Sequence, residues 1–503
     1  MKEQSGFLQQ NLRRIYKKMQ EAEMLHSIDI ERVHPAQRSS AANLIHYLSL
    51  RQEDLREVQD GLHNAGLSSL ASSESHVLRQ VQMVLRHLGD SITDPELSPC
   101  DYPHATQVQR RQTTALFGHG NLPESPHLMI TFDSKMADDF LAVKALVQAG
   151  MTVARINCAH DDPKTWQRMV RNIRKAVEVT GQPCKIYMDL AGPKIRTVLF
   201  GKARKKGRLK IAPNECIYLI ERPVDQEKYE KVIGCTMEGI IGDLSKGDRI
   251  LFDDGVVEAV VERKFVHAAL LRITRISASK PRIKAEKGMN FPDTELSARS
   301  LTDFDKSVLP FALEHADLIG FSFVRQAREV AELQQLLGQR TARPVHLVLK
   351  IETLEAVQNL PALLLQGMQE SAFGVMIARG DLAVEIGFER LSEIQEEILW
   401  ICEAGHVPVI WATQVLETLN KSGLATRSEV TDAARAAQAE CVMVNKGKHM
   451  LLVLATLRDI LRRSGGHHVK KRYVFRPLHI AERFLQGVKS RKPARKASKS
   501  GTP

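Results

Sequence analysis

From Leu128 onward, short apolar runs alternate with longer segments whose apolar residues have helical spacing. Eight of the runs are apolar on both faces, as parallel strands covered by helices require. They are LMITF (128–132), TVARIN (152–157), CKIYMDL (184–190), DLIGFSF (317–323), VHLVLKI (345–351), FGVMIAR (373–379), VPVIWAT (407–413) and ECVMVN (440–445). Segments of helical length lie between most of them, and another follows at 451–461. Eight β/α units close a barrel, so the pattern predicts an α/β fold of the (β/α)8 TIM type.

One interval between runs is too long for a simple crossover. Residues 191–316 separate the third run from the fourth, and the part at 200–285 contains short β-rich runs punctuated by Gly and Asp-Gly. Within GDRILFDDGVVEAVV (247–261), two of these runs are joined by Asp-Asp-Gly, which is a strong hairpin signal. We therefore predict a small all-β domain inserted after the third strand.

Residues 1–110 have helical patterning and almost no β-branched runs, with apolar spacings of three, four and seven in 41–62 and 76–88. The polar stretch 95–126, with Pro at both ends, is interpreted as a linker. The predicted organisation is a helical N-terminal domain (1–110), the first part of the barrel (111–199), the inserted β-rich domain (200–285), the rest of the barrel (286–465) and a basic C-terminal tail (466–503).

Composition and charge bear on where the protein is found and on its partners, but not on the predicted fold. The chain has no run of 18 uncharged apolar residues and begins with a polar segment, so we expect a cytoplasmic protein with no membrane partner. Seven scattered cysteines without a C-x-x-C pair are typical of free thiols in a reducing compartment. Half of the net charge of +12 comes from the last sixteen residues, which contain six Lys or Arg and no acid. We favour a solvated tail over a nucleic-acid or anionic-surface partner, and a homo-oligomer stays open.

Polar and charged residues follow the predicted strands where each strand ends. They are Arg155, Asn157, Asp189, Arg325, Lys350, Glu352, Arg379, Asp381, Thr413 and Asn445. Sites in such barrels are built at these strand ends, so we expect the residues to converge on one mouth of the barrel. A single polar residue at a strand end is more often an ordinary loop residue without a functional role. A mouth rich in cations with a few carboxylates suits an anionic phosphorylated substrate bound through a divalent metal.

Two short motifs sharpen this expectation. Lys350 and Glu352 lie on one face of a strand because side chains alternate; a mutual salt bridge and a joint role in the site are both open. Gly380 allows close approach of the backbone before Asp381, so that free N–H groups can meet a carboxylate. Glu352 and Asp381 together offer the one or two carboxylates that Mg²⁺ (or Mn²⁺) typically takes from a protein.

A series of longer motifs spans about residues 128–450. They are VARINCAH (153–160), DLAGPKIRT (189–197), KGMNFPD (287–293), GFSFVR (320–325), LKIET (349–353), VMIARGDLAVEIG (375–387) and PVIWATQVLET (408–418). In this order, and with a β domain inserted at this position, they resemble the motifs of the pyruvate kinase family. The chain is similar to a divergent branch with a helical N-terminal extension and without the family's C-terminal domain.

The resemblance implies a glycolytic reaction: transfer of the phosphoryl group of phosphoenolpyruvate to a nucleoside diphosphate, ADP, giving pyruvate and ATP. It implies that Arg155 and Arg196 bind phosphoryl groups and that Lys350 stabilises the phosphoryl in flight. Backbone groups of Gly380 and Asp381, with the Thr413 hydroxyl, would fix the carboxylate of phosphoenolpyruvate.

The resemblance also implies roles for the remaining motif residues. Glu352 and Asp381 would hold Mg²⁺, and the inserted domain would act as a lid that excludes water. Asn157, His160 and Lys287 match positions that face the nucleotide phosphates or the monovalent-cation site.

Potassium is predicted not to be required. Ala159 and Leu190 stand where the family has serine and threonine ligands for the ion. Lys194 is expected to place its ammonium where the ion's charge would be; a solvated loop lysine is the alternative.

Three departures from the family pattern leave a second function class open. The first strand leads into 131–136 (TFDSKM) rather than Thr-Ile-Gly-Pro-Ala-Ser, and the last leads into 445–448 (NKGK) rather than Ser-Gly-Glu-Thr. With Asn445 in place of serine, enol protonation needs another route. The alternative is a catalytically weak regulatory protein that binds phosphoenolpyruvate and metal on the same barrel. The third departure, no C-terminal domain, predicts no effector control of the usual kind.

Overall fold

A computed structural model describes residues 2–93, 96–120, 125–221, 229–277, 281–338, 344–465, 468–469 and 472–473 of the chain. The part that precedes the barrel is helical. Its α-helices are α1 (Lys2–Leu25), α2 (Ser27–Arg32), α3 (Arg38–Leu50), α4 (Arg56–Asn64), α5 (Val77–His87) and α6 (Tyr102–Phe117). The segment 41–62 is divided between α3 and α4, because the Asp54 carboxylate accepts the Arg56 N–H at 3.2 Å where the new helix starts.

Helix α6 overturns part of the linker prediction for 95–126. The helix begins because the Asp101 side chain accepts the His104 N–H at 2.9 Å, and a proline lies in its first turn. At its other end, Leu116 and Phe117 are buried against residues inside the barrel. Helix α6 therefore closes the barrel end opposite the strand ends that carry the candidate site.

Eight parallel strands form a closed barrel. Numbered in chain order, with β4–β12 reserved for the inserted strands, they are β1 (His127–Thr131), β2 (Val153–Asn157), β3 (Lys185–Asp189), β13 (Leu318–Phe321), β14 (His346–Ile351), β15 (Phe373–Ala378), β16 (Val409–Ala412) and β17 (Cys441–Val444). Each strand pairs with the next, and β17 pairs with β1 to close the ring. The predicted barrel is confirmed, and each apolar run contains one strand.

Helices cover the outside of this barrel, as the apolar strand faces require. They are α7 (Phe140–Gln148), α8 (Pro163–Thr180), α11 (Asp303–His315), α12 (Ala327–Gly338), α13 (Leu354–Gln358), α14 (Leu360–Gly367), α15 (Arg379–Ile386), α16 (Leu391–Ala404), α17 (Glu417–Ser422), α18 (Arg427–Arg435) and α19 (Met450–Gly465). Helix α19 confirms the predicted helix at 451–461. Among the described helices, none is both long and apolar enough to cross a membrane.

The inserted domain is a β-structure with its own apolar core, which confirms the predicted insertion after β3. Its elements are β4 (Thr197–Leu199), α9 (Gly201–Lys205), β5 (Arg208–Lys210), β6 (Cys216–Ile220), β7 (Val232–Cys235), α10 (Ile240–Asp243), β8 (Arg249–Phe252), β9 (Val257–Lys264), β10 (Ala268–Ile276), β11 (Arg282–Lys284) and β12 (Met289–Asn290). The predicted hairpin joins β8 to β9, with Asp253, Asp254 and Gly255 all at positive φ.

A single apolar cluster extends from the N-terminal helices into the barrel. It includes Leu12 of α1, Val81 of α5, Ile398 of α16 and Leu457 of α19, all fully buried. The basic tail predicted at 466–503 lies outside the described residues, apart from the short strands β18 (His468–Val469) and β19 (Arg472–Tyr473).

Candidate active site

Lys350, at the end of β14, lies at the centre of the barrel mouth. Its Nζ donates to Ser322 Oγ at 2.7 Å and lies 3.0 Å from Glu352 Oε1 and 3.3 Å from Asp189 Oδ2. Burial opposes the charged form, but the two carboxylates outweigh it, so the pKa of Lys350 is raised. The salt bridge with Glu352 is thus present, and it holds a buried ammonium in the mouth.

Arg155, from β2, shares Asp189 with Lys350. The guanidinium donates twice to Asp189 Oδ2, once at 3.0 Å, and its Nη1 donates to Thr131 Oγ1 at 3.0 Å. Burial favours the neutral form of Asp189, but Lys350 and Arg155 prevail and its pKa is lowered. Asp189 therefore stays ionised and orients two cations toward the same space.

Two carboxylates stand beside this pair of cations. Glu352 is 2% exposed, and its Oε2 accepts the Phe323 N–H at 2.5 Å. Burial raises the pKa of Glu352, Lys350 opposes that shift, and the nearby Asp381 carboxylate adds to it. A divalent cation would relieve the repulsion between the two carboxylates, and their oxygens are ligands that Mg²⁺ prefers, so the residues fit the ion.

Lys194 contacts the second of these carboxylates. Its Nζ donates to Asp381 Oδ1 at 2.7 Å, and both side chains are partly exposed. The ammonium therefore lies at Asp381, among the described contacts, rather than against Asn157 or Asp189. Whether it replaces a potassium ion stays a prediction.

Gly380 and Thr413 are brought together across β15 and β16, but not as expected. The Gly380 N–H donates to Thr413 Oγ1 at 2.8 Å, so the expectation of a free N–H at Gly380 is wrong for this structure. Thr413 and Gln414 both have positive φ, which is costly for residues with a Cβ.

Arg379 stabilises this strained turn through hydrogen bonds to its backbone. It donates to the carbonyls of Ala412 at 2.9 Å and Thr413 at 2.6 Å, and it pairs with Asp432. Its guanidinium also lies over the Trp411 ring, 4.5 Å from the centroid. Arg379 thus positions the loop that carries Thr413 and does not itself point a free charge into the mouth.

Of the residues predicted to face the nucleotide (Asn157, His160 and Lys287), only some lie close to the other charged groups of the mouth. Partial burial lowers the pKa of His160, and Lys446, Arg196 and Arg155 add to this, so these cations lie near its ring. Asn157 Oδ1 accepts the Ala159 N–H at 3.0 Å, a local turn contact.

Three other predicted residues bond elsewhere. Arg196 Nη1 donates to the Glu286 carbonyl at 3.1 Å, and Lys287 pairs with Asp253 at 2.8 Å, both on the inserted domain. Arg325 lines the cavity that also contains Lys194 and Asp381, but its charge is already used: it donates to the Leu296 carbonyl at 2.7 Å and pairs with Glu329 at 3.0 Å.

With this geometry in place, comparison with known proteins is informative. The family model "Pyruvate kinase, barrel domain" matches residues 128–448. The chain belongs to the pyruvate kinase family. Similar proteins include pyruvate kinase from Bacillus licheniformis, 31% identical over 332 residues (63% of this chain, 54% of that protein). Pyruvate kinase 2 from Synechocystis sp. is 35% identical over 295 residues (58% and 48%). Pyruvate kinase from Dictyostelium discoideum is 30% identical over 325 residues (63% and 61%).

The chain spans about half the length of the curated pyruvate kinases it matches. All of the residues that line the mouth lie within the matched range 128–448, whereas the N-terminal helices lie outside it. Membership in the particular divergent branch stays a prediction.

The pyruvate kinase barrel of this chain uses two polar groups that sequence reasoning missed. Ser322 accepts from Lys350 and donates to the Leu190 carbonyl at 2.6 Å; its place after a strand was a usable signal. Glu385 Oε1 accepts from Asn290 Nδ2 at 2.8 Å, and burial raises the pKa of Glu385 to about 7. No local pattern marks that pair, because its members are far apart in the sequence.

Proposed function

We propose that this chain is a pyruvate kinase-like phosphotransferase. It would move the phosphoryl group of phosphoenolpyruvate to a nucleoside diphosphate, ADP, and give pyruvate and ATP, using Mg²⁺ or Mn²⁺. The observation that carries the proposal is the buried Lys350, which pairs with both Asp189 and Glu352. Arg155 pairs with the same Asp189 carboxylate. Two fixed cations beside two metal-binding carboxylates are what an anionic phosphoryl group in transfer needs.

Lys350 and Arg155 would bind the phosphoryl group and oppose the negative charge on its oxygens. Their counterions hold them in place before substrate arrives, so little reorganisation is required during transfer. Glu352 and Asp381 would hold the divalent ion, with substrate and water as its other ligands, and the ion would supply further charge neutralisation.

Gly380 and Thr413 would bind the substrate carboxylate. The Gly380 N–H would exchange the Thr413 hydroxyl for a carboxylate oxygen, and the freed hydroxyl would donate to the same group. The strained turn at Thr413 keeps both donors aimed at one point, since Arg379 fixes its carbonyls.

Proton delivery to the enol would follow a route of this chain's own. Asn445 stands where the family has serine, and its carbonyl accepts from Asn420 at 2.7 Å. A water held by Thr413 or Lys446 would be the proton donor. The inserted domain would close over the mouth and bring Arg196 and Lys287 toward the nucleotide phosphates.

The decisive experiment is a pyruvate-forming assay with phosphoenolpyruvate, Mg²⁺ and several nucleoside diphosphates. Asp381→Asn should weaken Mn²⁺ binding and activity together, because it removes one metal ligand. Asp138→Asn, which removes an exposed carboxylate paired with Arg168 on the barrel surface, is the matched control and should change neither.

Activity that survives thorough chelation would contradict the metal-dependent mechanism. If phosphoenolpyruvate and Mn²⁺ bind but no nucleotide is phosphorylated, the chain is instead the regulatory protein on the same barrel.

A further inference from the structure

Two segments connect the inserted domain to the barrel, and both are fastened to the same helix. Residues 190–196 leave the barrel after β3, and residues 288–293, which include β12, lead from the inserted domain back toward the barrel. From the first segment, Lys194 Nζ donates to Asp381 Oδ1 at 2.7 Å. From the second, Asn290 Nδ2 donates to Glu385 Oε1 at 2.8 Å.

The two anchor points lie on one face of α15, because Asp381 and Glu385 are four residues apart. The connecting segments also contact each other: the Met289 N–H donates to the Ile195 carbonyl at 2.9 Å, and Arg196 bridges to Gly288. They therefore form a narrow ribbon that crosses α15 and is held to it by two side-chain hydrogen bonds, Lys194 to Asp381 and Asn290 to Glu385, which we call the two pins.

The two pins differ in chemistry. Lys194 is a flexible cation on a carboxylate that the proposed function assigns to the divalent ion. Asn290 is a neutral donor on a carboxylate with no part in the metal site. A divalent ion about 2 Å from an Asp381 oxygen would face the Lys194 ammonium at short range, and like charges repel.

We propose that Lys194 and the divalent ion compete for the Asp381 carboxylate, so that metal binding releases one of the two pins of the inserted domain. The other pin, Asn290 on Glu385, stays in place and serves as the pivot. This inference rests on the proposed function only in placing the ion at Asp381. Lys194 is thus a positioning residue: it ties the freedom of the inserted domain to the presence of metal.

The test uses Mn²⁺ alone, without substrate, and the full chain. Free Mn²⁺ is measured by electron paramagnetic resonance during titration of wild type, Lys194→Met, Lys231→Met and Asp381→Asn. Lys194→Met should bind Mn²⁺ more tightly by up to about fivefold, the upper end of what a partly exposed ion pair is worth. Lys231→Met should match wild type, because it removes an ion pair with Glu215 inside the inserted domain and leaves α15 untouched.

Amide hydrogen exchange of the two connecting segments supplies the second readout. In wild type, Mn²⁺ should speed exchange in 194–196 and at Met289, whose N–H donates to the Ile195 carbonyl, and leave 290–291 unchanged. In Lys194→Met, exchange in 194–196 should be fast from the start, and Mn²⁺ should add nothing.

Three results would overturn the inference. Equal Mn²⁺ affinity in Lys194→Met and wild type would show that there is no competition. Tighter binding with no effect of Mn²⁺ on wild-type exchange would show charge repulsion without a released pin. Equal affinity in Asp381→Asn and wild type would remove the proposed metal site itself, and this inference with it.

Discussion

At the scale of single residues, the mouth of this barrel is a set of charges that depend on one another. Asp189 forms ion pairs with both Arg155 and Lys350, and Glu352 forms a second ion pair with Lys350. Removing one member takes a counterion away from at least one buried charge, which destabilises the folded state. A substitution in this cluster therefore changes stability and chemistry together, and both have to be measured.

Lys350→Met should lower turnover by about a thousand-fold, because it removes electrostatic stabilisation of the phosphoryl group in transfer. The apparent affinity for phosphoenolpyruvate should fall much less, since Arg155 and the metal ligands remain. Steady-state kinetics test this, with thermal unfolding run beside them. Lys306→Met, which breaks a surface pair with Glu332, is the control for charge loss alone. Turnover close to wild type would refute the role of Lys350.

Lys194 carries the prediction about monovalent ions. Its ammonium lies at Asp381 in this structure, and a lysine displaced from that carboxylate by metal would remain tethered at the same edge of the mouth, so the chain itself supplies a positive charge there. Activity should be the same in sodium, potassium or tetramethylammonium salts at fixed ionic strength. Lys194→Glu should reduce activity, with partial rescue by potassium. Strong activation of the unmodified protein by potassium would contradict the substitution of lysine for the ion.

At the scale of elements, α15 carries both Asp381, a ligand of the proposed metal site, and Glu385, a carboxyl group that contacts the inserted domain. Burial raises the pKa of Glu385 from 4.5 to about 7. A carboxyl whose pKa is higher in the folded state binds more protons when folded than when unfolded in this window. The free energy of unfolding should therefore decrease as the pH rises from about 4.5 to about 7.

Glu385→Gln should remove this dependence while keeping the acceptor for Asn290. Relative to wild type, the variant should gain about 2 kcal/mol of stability between pH 5 and pH 8. Urea unfolding at several pH values measures the difference. Glu258→Gln, on an exposed pair with Arg275 in the inserted domain, is the control. Parallel stability curves for Glu385→Gln and wild type would show that the carboxyl is not perturbed.

The lengths and burial of the elements explain why the sequence predicts the barrel strands well and the short strands of the inserted domain and helix α6 poorly. Each barrel strand is buried on both faces, so its apolar run is visible without any partner. Strands β4, β7, β11 and β12 are two to four residues long, too short for a period to register. The linker predicted at 95–126 is wrong where α6 forms, because the buried face of this helix is narrow and its surroundings are polar; Asp101, which caps the helix, is the local sequence signal for it.

For the site, the predictable part was the part that follows from the fold. Lys350, Glu352 and Asp381 could be found because strand ends of a barrel meet at one mouth. Pairings between distant segments could not be found, since Lys194 and Asp381 are 187 positions apart and Asn290 and Glu385 are 95 apart. Such contacts depend on how the inserted domain lies on the barrel, which no local spacing encodes.

At the scale of the whole molecule, the N-terminal helices and the barrel are continuous. They share one apolar cluster, and a buried polar seam crosses their junction: His406 bonds Ser40 and the Ser75 carbonyl, and Asn43 bonds the Ala404 carbonyl. Asn43 of α3 is the centre of that seam: its Nδ2 donates to the Glu74 and Ala404 carbonyls, both at 2.8 Å, and its Oδ1 accepts the Val77 N–H at 3.0 Å. One side chain thus joins two parts of the N-terminal region to the end of barrel helix α16.

Asn43→Ala should destabilise the whole chain by about 3 kcal/mol, because it removes three buried hydrogen bonds between its side chain and the backbone at roughly 1 kcal/mol each. Trp166 and Trp411 lie in the barrel, whereas the Trp400 ring contacts Arg51 of the N-terminal region, 4.9 Å from the ring centroid. The measurement therefore uses a Trp400→Phe background, in which the remaining fluorescence reports on a region that does not contain the substitution. If the molecule unfolds as one unit, the fluorescence transition and the helical circular dichroism transition should shift together to lower urea.

Asn11→Ala is the matched control, because within the described part of the chain the Asn11 amide donates to a carbonyl of its own helix at 3.0 Å, and this bond lies at the surface. It should change stability by less than about 0.5 kcal/mol. A barrel transition that stays in place while the helical signal shifts would show that the N-terminal helices unfold independently. In that case the seam at Asn43 would hold the helices to the barrel without stabilising the barrel, and the shared apolar cluster would not make the two regions cooperative.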